Sequence, residues 1–160
     1  VGSCFSMLPQ SSFHMTIFSL FTENDKNRLT SKWKSAGFDS DTTFKEAVDT
    51  IVSRTSNIFE IQKEKPSSFK MAFKTFGIRQ EQCIGVNLVT SNRNEEQRIR
   101  GLRKQIGKAS KIPNSRRYAF HISLGYPYLK TKDDPSLVNV FSTLQRELTV
   151  LFRSATYYFI

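Results

Sequence analysis

A five-residue pattern occurs twice in this chain, and it restricts the possible folds more than any other feature. Phe13-His14-Met15-Thr16-Ile17 and Phe120-His121-Ile122-Ser123-Leu124 share the order aromatic, histidine, apolar, hydroxyl, apolar, and they contain the only two histidines among 160 residues. The alternation has the period of a β-strand, in which successive side chains leave opposite faces. On a strand from Phe13 to Leu20, Phe13, Met15 and Ile17 would share one face, with His14, Thr16 and Phe18 on the other. In the second strand, from Tyr118 to Leu124, Phe120, Ile122 and Leu124 would pack while His121 and Ser123 are left for chemistry. Ser and Thr number 32. A hydroxyl two positions after both histidines therefore arises by chance roughly one time in 25, before the preceding aromatic is required.

The spacing suggests a reaction. Residues two apart on a strand project from one face about 6 to 7 Å from each other, so an imidazole and a hydroxyl can touch one phosphate together. Two such strands side by side present four groups. Cleavage of a phosphodiester needs a base for the nucleophile and an acid for the leaving oxygen, roles that two histidines can fill near neutral pH. Thr16 and Ser123 would donate hydrogen bonds to the non-bridging oxygens as charge develops. This scheme needs no metal and no cofactor. A zinc site from His14, His121, Cys4 and Cys83 lacks any close-spaced ligand pair, and a Ser-His-Asp hydrolase lacks a G-x-S-x-G elbow.

The rest of the chain reads as one domain of both helices and strands. At 160 residues, 38% hydrophobic and with 14 Phe, it has apolar material for a sizeable core. Helices are expected at about Asp25 to Lys34, at Thr42 to Thr55 (Asp41 as N-cap; Phe44, Val48, Ile51 and Val52 inward), and at Glu95 to Ser110. The last follows Asn94 and buries Ile99, Leu102 and Ile106 with its arginines outward. A final helix starts at Asp134-Pro135 and carries Leu137, Val140, Phe141, Leu144, Leu148 and Leu151 on an apolar stripe. Further strands are expected at Ile58 to Gln62, Lys70 to Thr75, Cys83 to Thr90 and Thr156 to Ile160, with turns at Lys65-Pro66-Ser67 and Gly77 to Gln82. This order predicts an α+β domain with mainly antiparallel sheets and helices outside. Trp33 suits either a helix–sheet contact or a substrate lid.

The charge is strongly positive, +10 formally with a pI near 9.8. Between Arg93 and Arg117 nine basic residues stand against Glu95 and Glu96, leaving +7 in that stretch. Such a run suits either a solvated helix face or a footprint for nucleic acid. No apolar run reaches the roughly 20 residues of a membrane span, so no membrane partner is expected. Two cysteines are too few for a disulfide framework, which favours a cytoplasmic or other reducing intracellular compartment. The chain begins with Val and ends in a strand-like TYYFI, as a processed form or a piece of a longer product would.

The two motifs with their flanks, Leu8-Pro9-Gln10-Ser11-Ser12-Phe13-His14-Met15-Thr16-Ile17-Phe18 and Phe120-His121-Ile122-Ser123-Leu124-Gly125-Tyr126, resemble the 2H phosphoesterases. That superfamily includes the 2′-5′ RNA ligase-like proteins and cyclic nucleotide phosphodiesterases, and the likeness is to an uncharacterised microbial branch. The resemblance implies a bilobal fold of two pseudo-symmetric antiparallel sheets, each lending one strand to a central cleft. It also implies action on 2′,3′-cyclic phosphates, 2′-5′ linkages or related nucleotide phosphodiesters, with His14, Thr16, His121 and Ser123 as catalytic residues. The 107 positions between the histidines exceed the spacing of compact members, and the Asp25 to Thr55 region is the candidate lid or specificity element. Tyr126 and Tyr128 are candidates to stack on a base, and Lys74, Arg79, Arg103 and Arg117 to hold a phosphate. The expected partners are a nucleotide or RNA-derived phosphodiester, with RNA bound through residues 93–117 as the alternative role; a monomer is expected.

Overall fold

The computed structural model describes residues 5–64, 68–79, 83–113, 119–127, 135–153 and 156–159. They form two compact units, neither contiguous in sequence. The first comprises Val1–Thr16, Phe69–Glu95 and Ala119–Phe159; the second comprises Ile17–Ser68 and Glu96–Tyr118. No helix of the described residues is long and apolar enough to cross a membrane.

The first unit is built on a five-stranded sheet. Its strands are β1 (Phe5–Met7), β2 (Phe69–Arg79), β3 (Cys83–Thr90), β4 (Phe120–Pro127) and β5 (Thr156–Phe159). They lie in the order β1-β4-β3-β2-β5, every neighbouring pair antiparallel. One face is apolar. Ile84, Val86 and Leu88 of β3, each at most 3% exposed, alternate there with Gly85 and Asn87, and Met71, Phe76 and Ile122 are buried with them. The final helix (Pro135–Phe152) packs on this sheet through Phe152, whose ring stacks on Phe73 of β2 at 6.2 Å between centroids.

The fold is thus α+β with an antiparallel sheet, as expected, but all five strands of the described residues belong to one sheet rather than to two. Several strand limits also differ. Phe13 to Leu20 is not a continuous strand, because Met15 alone makes a bridge, whereas Phe5–Met7, not anticipated, pairs with β4. β2 runs on through Gly77 to Arg79, because pairing with β3 outweighs the turn signal of that glycine. The expected turn at Lys65-Pro66-Ser67 and the Asp134 cap lie outside the described residues. Leu151, placed on the apolar stripe of the last helix, is 71% exposed.

The second unit is helical: α1 (Glu23–Asn27), α2 (Ser31–Ser35), α3 (Phe44–Glu64) and most of α4 (Arg93–Ser110). The single helix expected from Asp25 to Lys34 is two, because Leu29 takes a left-handed φ of 46° and Thr30 opens a new turn as its own N-cap. α3 begins two residues later than expected, capped by Thr43 rather than Asp41. Thr43 Oγ1 accepts from the Glu46 N–H at 3.2 Å and Glu46 accepts from the Thr43 N–H at 2.8 Å, a reciprocal capping box. The helix then absorbs Ile58 to Gln62, expected as a strand, since no Gly or Pro interrupts it and Thr55 bonds back to the Ile51 carbonyl at 2.8 Å. Its inner face is Ala47, Ile51 and Thr55, while Val52 is 61% exposed. Trp33 is fully buried among Ala36, Phe38, Ala47, Ile51 and Ile112, with its Nε1–H donated to the Asp39 carbonyl at 2.9 Å, so it is core.

In α4, Ile99, Leu102 and Ile106 are buried as expected, and Asn92 rather than Asn94 caps the start, accepting from the Glu95 N–H at 3.0 Å. The expectation of outward arginines fails at Arg103, which is 7% exposed. Four residues after Ile99, it shares that buried residue's side of the helix.

The caps of this unit create an acid sensitivity. Hydrogen bonds from the Thr42 hydroxyl and backbone and from the Asp41 N–H hold the Asp39 carboxyl below its ordinary value of 3.8. The Thr43 hydroxyl and N–H do the same for Glu46. A carboxylate with a lowered folded-state pKa contributes stability above its unfolded value, and that contribution is lost as pH falls through the folded value. Thermal unfolding should therefore change little between about pH 7 and 5 and weaken below about 4, with a shallower fall in Asp39→Asn. An equal fall in both proteins would remove Asp39 as a cause.

Candidate active site

The histidine and hydroxyl of both motifs belong to the first unit, and the pairing of β4 brings them together. One edge of β4 is met first by β1, with Met7 opposite Gly125, and the Leu8 N–H continues the ladder to the Leu124 carbonyl at 2.8 Å. Pro9 has no N–H to donate, and the chain leaves the sheet in a 3-10 turn over Gln10–Ser12, closed by the Ser12 N–H and hydroxyl on the Pro9 carbonyl at 2.9 and 2.7 Å. It rejoins β4 at Met15, which forms an antiparallel bridge with Ile122. Between the two contacts the N-terminal segment spends seven residues (Leu8 to His14) against two (Ser123 and Leu124), so five are looped out.

The bridge sets the register of the site. Met15 and Ile122 are both buried, 9% and 6% exposed, and so mark the core face. The flanking residues take the opposite face, with His14 across from Ser123 and Thr16 across from His121, at the roughly 5 Å typical of antiparallel neighbours. Each histidine thus has one hydroxyl two residues along its own segment and another directly opposite.

The two imidazoles are held alike. His14 Nδ1 lies 2.8 Å from the Ser12 carbonyl and His121 Nδ1 lies 3.2 Å from the Ala119 carbonyl, each oxygen two residues before its histidine. A carbonyl only accepts, so each Nδ1 carries a proton and donates, which leaves Nε2 as the atom that gains or loses one. The side chains remain accessible, His14 exposed and His121 half-buried.

Two bulges shape the surrounding sheet. Ile84 pairs with Gly125 and Gly85 with Ser123, so Leu124 is the extra residue on β4. Strict alternation would place Tyr126 with Phe120 and Ile122 on the core face; the bulge reverses the parity and turns Tyr126, 49% exposed, to the face of the histidines. In β2, Phe73 pairs with Leu88 and Thr75 with Asn87, which makes exposed Lys74 the extra residue there.

Row by row, this face carries Thr16, His121, Asn87 and Thr75, then His14, Ser123, Gly85 and Gly77. Asn87 and Gly85 were not among the expected site residues. The alternation of Ile84, Val86 and Leu88 does put them on the non-core face, but no sequence signal names β3 as the neighbour of β4. Of the residues expected to hold substrate, Tyr126 and Lys74 share the sheet with the motifs, and Arg79 ends β2. Arg103 is buried and belongs to the second unit, while Tyr128 and Arg117 lie outside the described residues. Among the described residues no three His, Cys, Asp or Glu side chains gather to hold a metal ion.

No curated protein sequence matches the chain. In structure it is similar to the conserved protein of unknown function ATU0111 from Agrobacterium tumefaciens str. C58, with a TM-score of 0.69 over 93% of this chain at 18% identity. The chain spans 59% of that protein's length, and at this identity the likeness is one of fold. A family model described as 2H-phosphodiest, a domain of unknown function (DUF1868), matches residues 2–80, a stretch that holds His14 and Thr16 and ends before His121. The matched stretch is just under half of the chain, and it is to this 2H phosphodiesterase family that its N-terminal half is similar.

Proposed function

We propose that the chain is a phosphodiesterase working by histidine acid–base catalysis without a metal, on a 2′,3′-cyclic phosphate, a 2′-5′ linkage or a related nucleotide phosphodiester. Similarity to the 2H phosphodiesterase family suggests phosphodiesterase-type activity in general. The observation that carries the finer reading is the Met15–Ile122 bridge, which juxtaposes two histidines whose Nδ1 atoms are both committed to carbonyls.

With phosphate among the four motif side chains, the bare Nε2 of one imidazole takes the proton of the attacking hydroxyl or water. The other imidazole, protonated at Nε2, gives its proton to the departing oxygen. One P–O bond forms and one breaks, and the two rings finish with their protonation states exchanged, to be restored by water. Because both Nδ1–H bonds persist in either state, neither ring has to turn between steps. Thr16 and Ser123 donate to the non-bridging oxygens, where negative charge accumulates. Tyr126, on the same face, offers a ring for a base to stack on.

The test is hydrolysis of 2′,3′-cyclic nucleotides, 2′-5′ oligoadenylates and cyclic oligonucleotides in EDTA. A bell-shaped pH–rate profile is expected from one acid and one base; a flat profile from pH 5 to 8 would count against the pair. Thr16→Ala and Ser123→Ala should each lower kcat by roughly 10- to 100-fold, at or below the usual loss of an oxyanion donor. Unchanged kcat in both would remove the hydroxyls from the scheme.

A non-catalytic RNA-binding role is the second reading, favoured by one feature of α4. Arg93, Arg100, Lys104 and Lys108, all exposed, recur at intervals of seven, four and four and so line one side of the helix. Arg100 is paired with Glu96 at 2.6 Å, which lowers the charge available to a phosphate backbone. A pure binder would lose RNA affinity steeply with salt, yield no product and tolerate Thr16→Ala and Ser123→Ala.

A further inference from the structure

We infer that the organic group of the substrate lies over β3 and β2 with the Asn87 amide as its polar contact, an inference that rests on the phosphodiesterase reading above. His14 and Thr16 come from the segment that bridges one edge of β4, so on the histidine face the sheet continues from the phosphate position only across β3 toward β2. Asn87 is the first side chain met there, directly opposite His121 and half-buried. Its Nδ2 donates to Thr75 Oγ1 at 3.1 Å, which anchors the amide on this face. A carboxamide has two N–H donors and an acceptor oxygen, so after this bond it keeps one N–H and its oxygen for a ligand. That combination complements a ring that carries both a donor and an acceptor, such as a ribose or a nucleobase edge.

The adjacent row offers no competing contact. Next to Ser123 comes Gly85, which has no side chain and is buried against the Ile122 carbonyl. The organic group is therefore met on the row of Asn87, while the phosphate it bears reaches the hydroxyls and imidazoles. An isolated phosphate is held by those hydroxyls and imidazoles, so Asn87 should discriminate nucleotide from phosphate without entering the proton transfers.

The experiment titrates wild type and Asn87→Ala with adenosine 2′-monophosphate and with inorganic phosphate, alongside hydrolysis of 2′,3′-cyclic AMP. Asn87→Ala should weaken the nucleotide about 5- to 10-fold, the effect of one lost hydrogen bond, and leave phosphate binding unchanged. In hydrolysis the same variant should raise KM and spare kcat. Thr75→Val keeps Asn87 but frees its amide, and a smaller, still nucleotide-specific loss is expected; this variant decides the matter if Asn87→Ala lowers thermal stability. Equal weakening of both ligands, no weakening of either, or a wild type that binds nucleotide no more tightly than phosphate would each overturn the inference. The phosphodiesterase reading fails separately, by absent hydrolysis in a protein whose nucleotide binding still depends on Asn87.

Discussion

Alanine at His14 or at His121 is expected to cut phosphodiester turnover by roughly 10²- to 10⁴-fold, the usual contribution of a positioned acid or base. The double variant should fall little further, because a step that needs both a donor and an acceptor of protons is already lost when one is missing. Neither substitution should unfold the protein. His14 is exposed, and its hydrogen bond runs to the Ser12 carbonyl two residues away; His121 is half-buried with a similarly local bond to Ala119. Melting temperatures close to wild type together with lost turnover would separate chemistry from folding. Full activity in either alanine variant would end the two-histidine scheme, whatever the substrate.

Gly85→Ala should be nearly as damaging for a different reason. A Cβ at this position would stand 2.5 Å from the Ile122 carbonyl oxygen, a distance that backbone cannot tolerate, so β3 or β4 has to move. The movement falls on the residue between His121 and Ser123, where the Leu124 bulge has drawn the two strands close. A loss of about 1–3 kcal/mol is expected, as for other overpacked sites, with turnover down more than tenfold because two of the four phosphate contacts shift. Gly101→Ala is the control. That glycine lies within α4 with nothing inside 4 Å of an added Cβ, so the same chemical change should stabilise the protein by about 0.5–1 kcal/mol. Denaturant unfolding of the two variants should therefore move in opposite directions, and a neutral Gly85→Ala would show that the β3–β4 approach is looser than its geometry.

The paired motifs were legible in the sequence because histidine and hydroxyl two apart, between apolar residues, is a local pattern that survives without knowledge of the fold. For the same reason the β3 limits matched, and Ile99, Leu102 and Ile106 were identified as the buried side of α4, since each depends on the period of its own segment. The strand expected from Phe13 to Leu20 went astray where the context was not local. Pro9 and the turn after it consume residues that strand propensity would keep in the ladder, and the contact that remains, at Met15, is made by a partner 107 positions away.

By itself, then, the sequence determined which residue types the site offers and which face of each segment they occupy. The tertiary structure decided which segments are neighbours. It set His14 across from Ser123 and Thr16 across from His121, brought Asn87 beside His121, and turned Tyr126 to the same face. Register between distant strands and the parity change at a bulge follow from hydrogen bonds between segments, and no single segment encodes them.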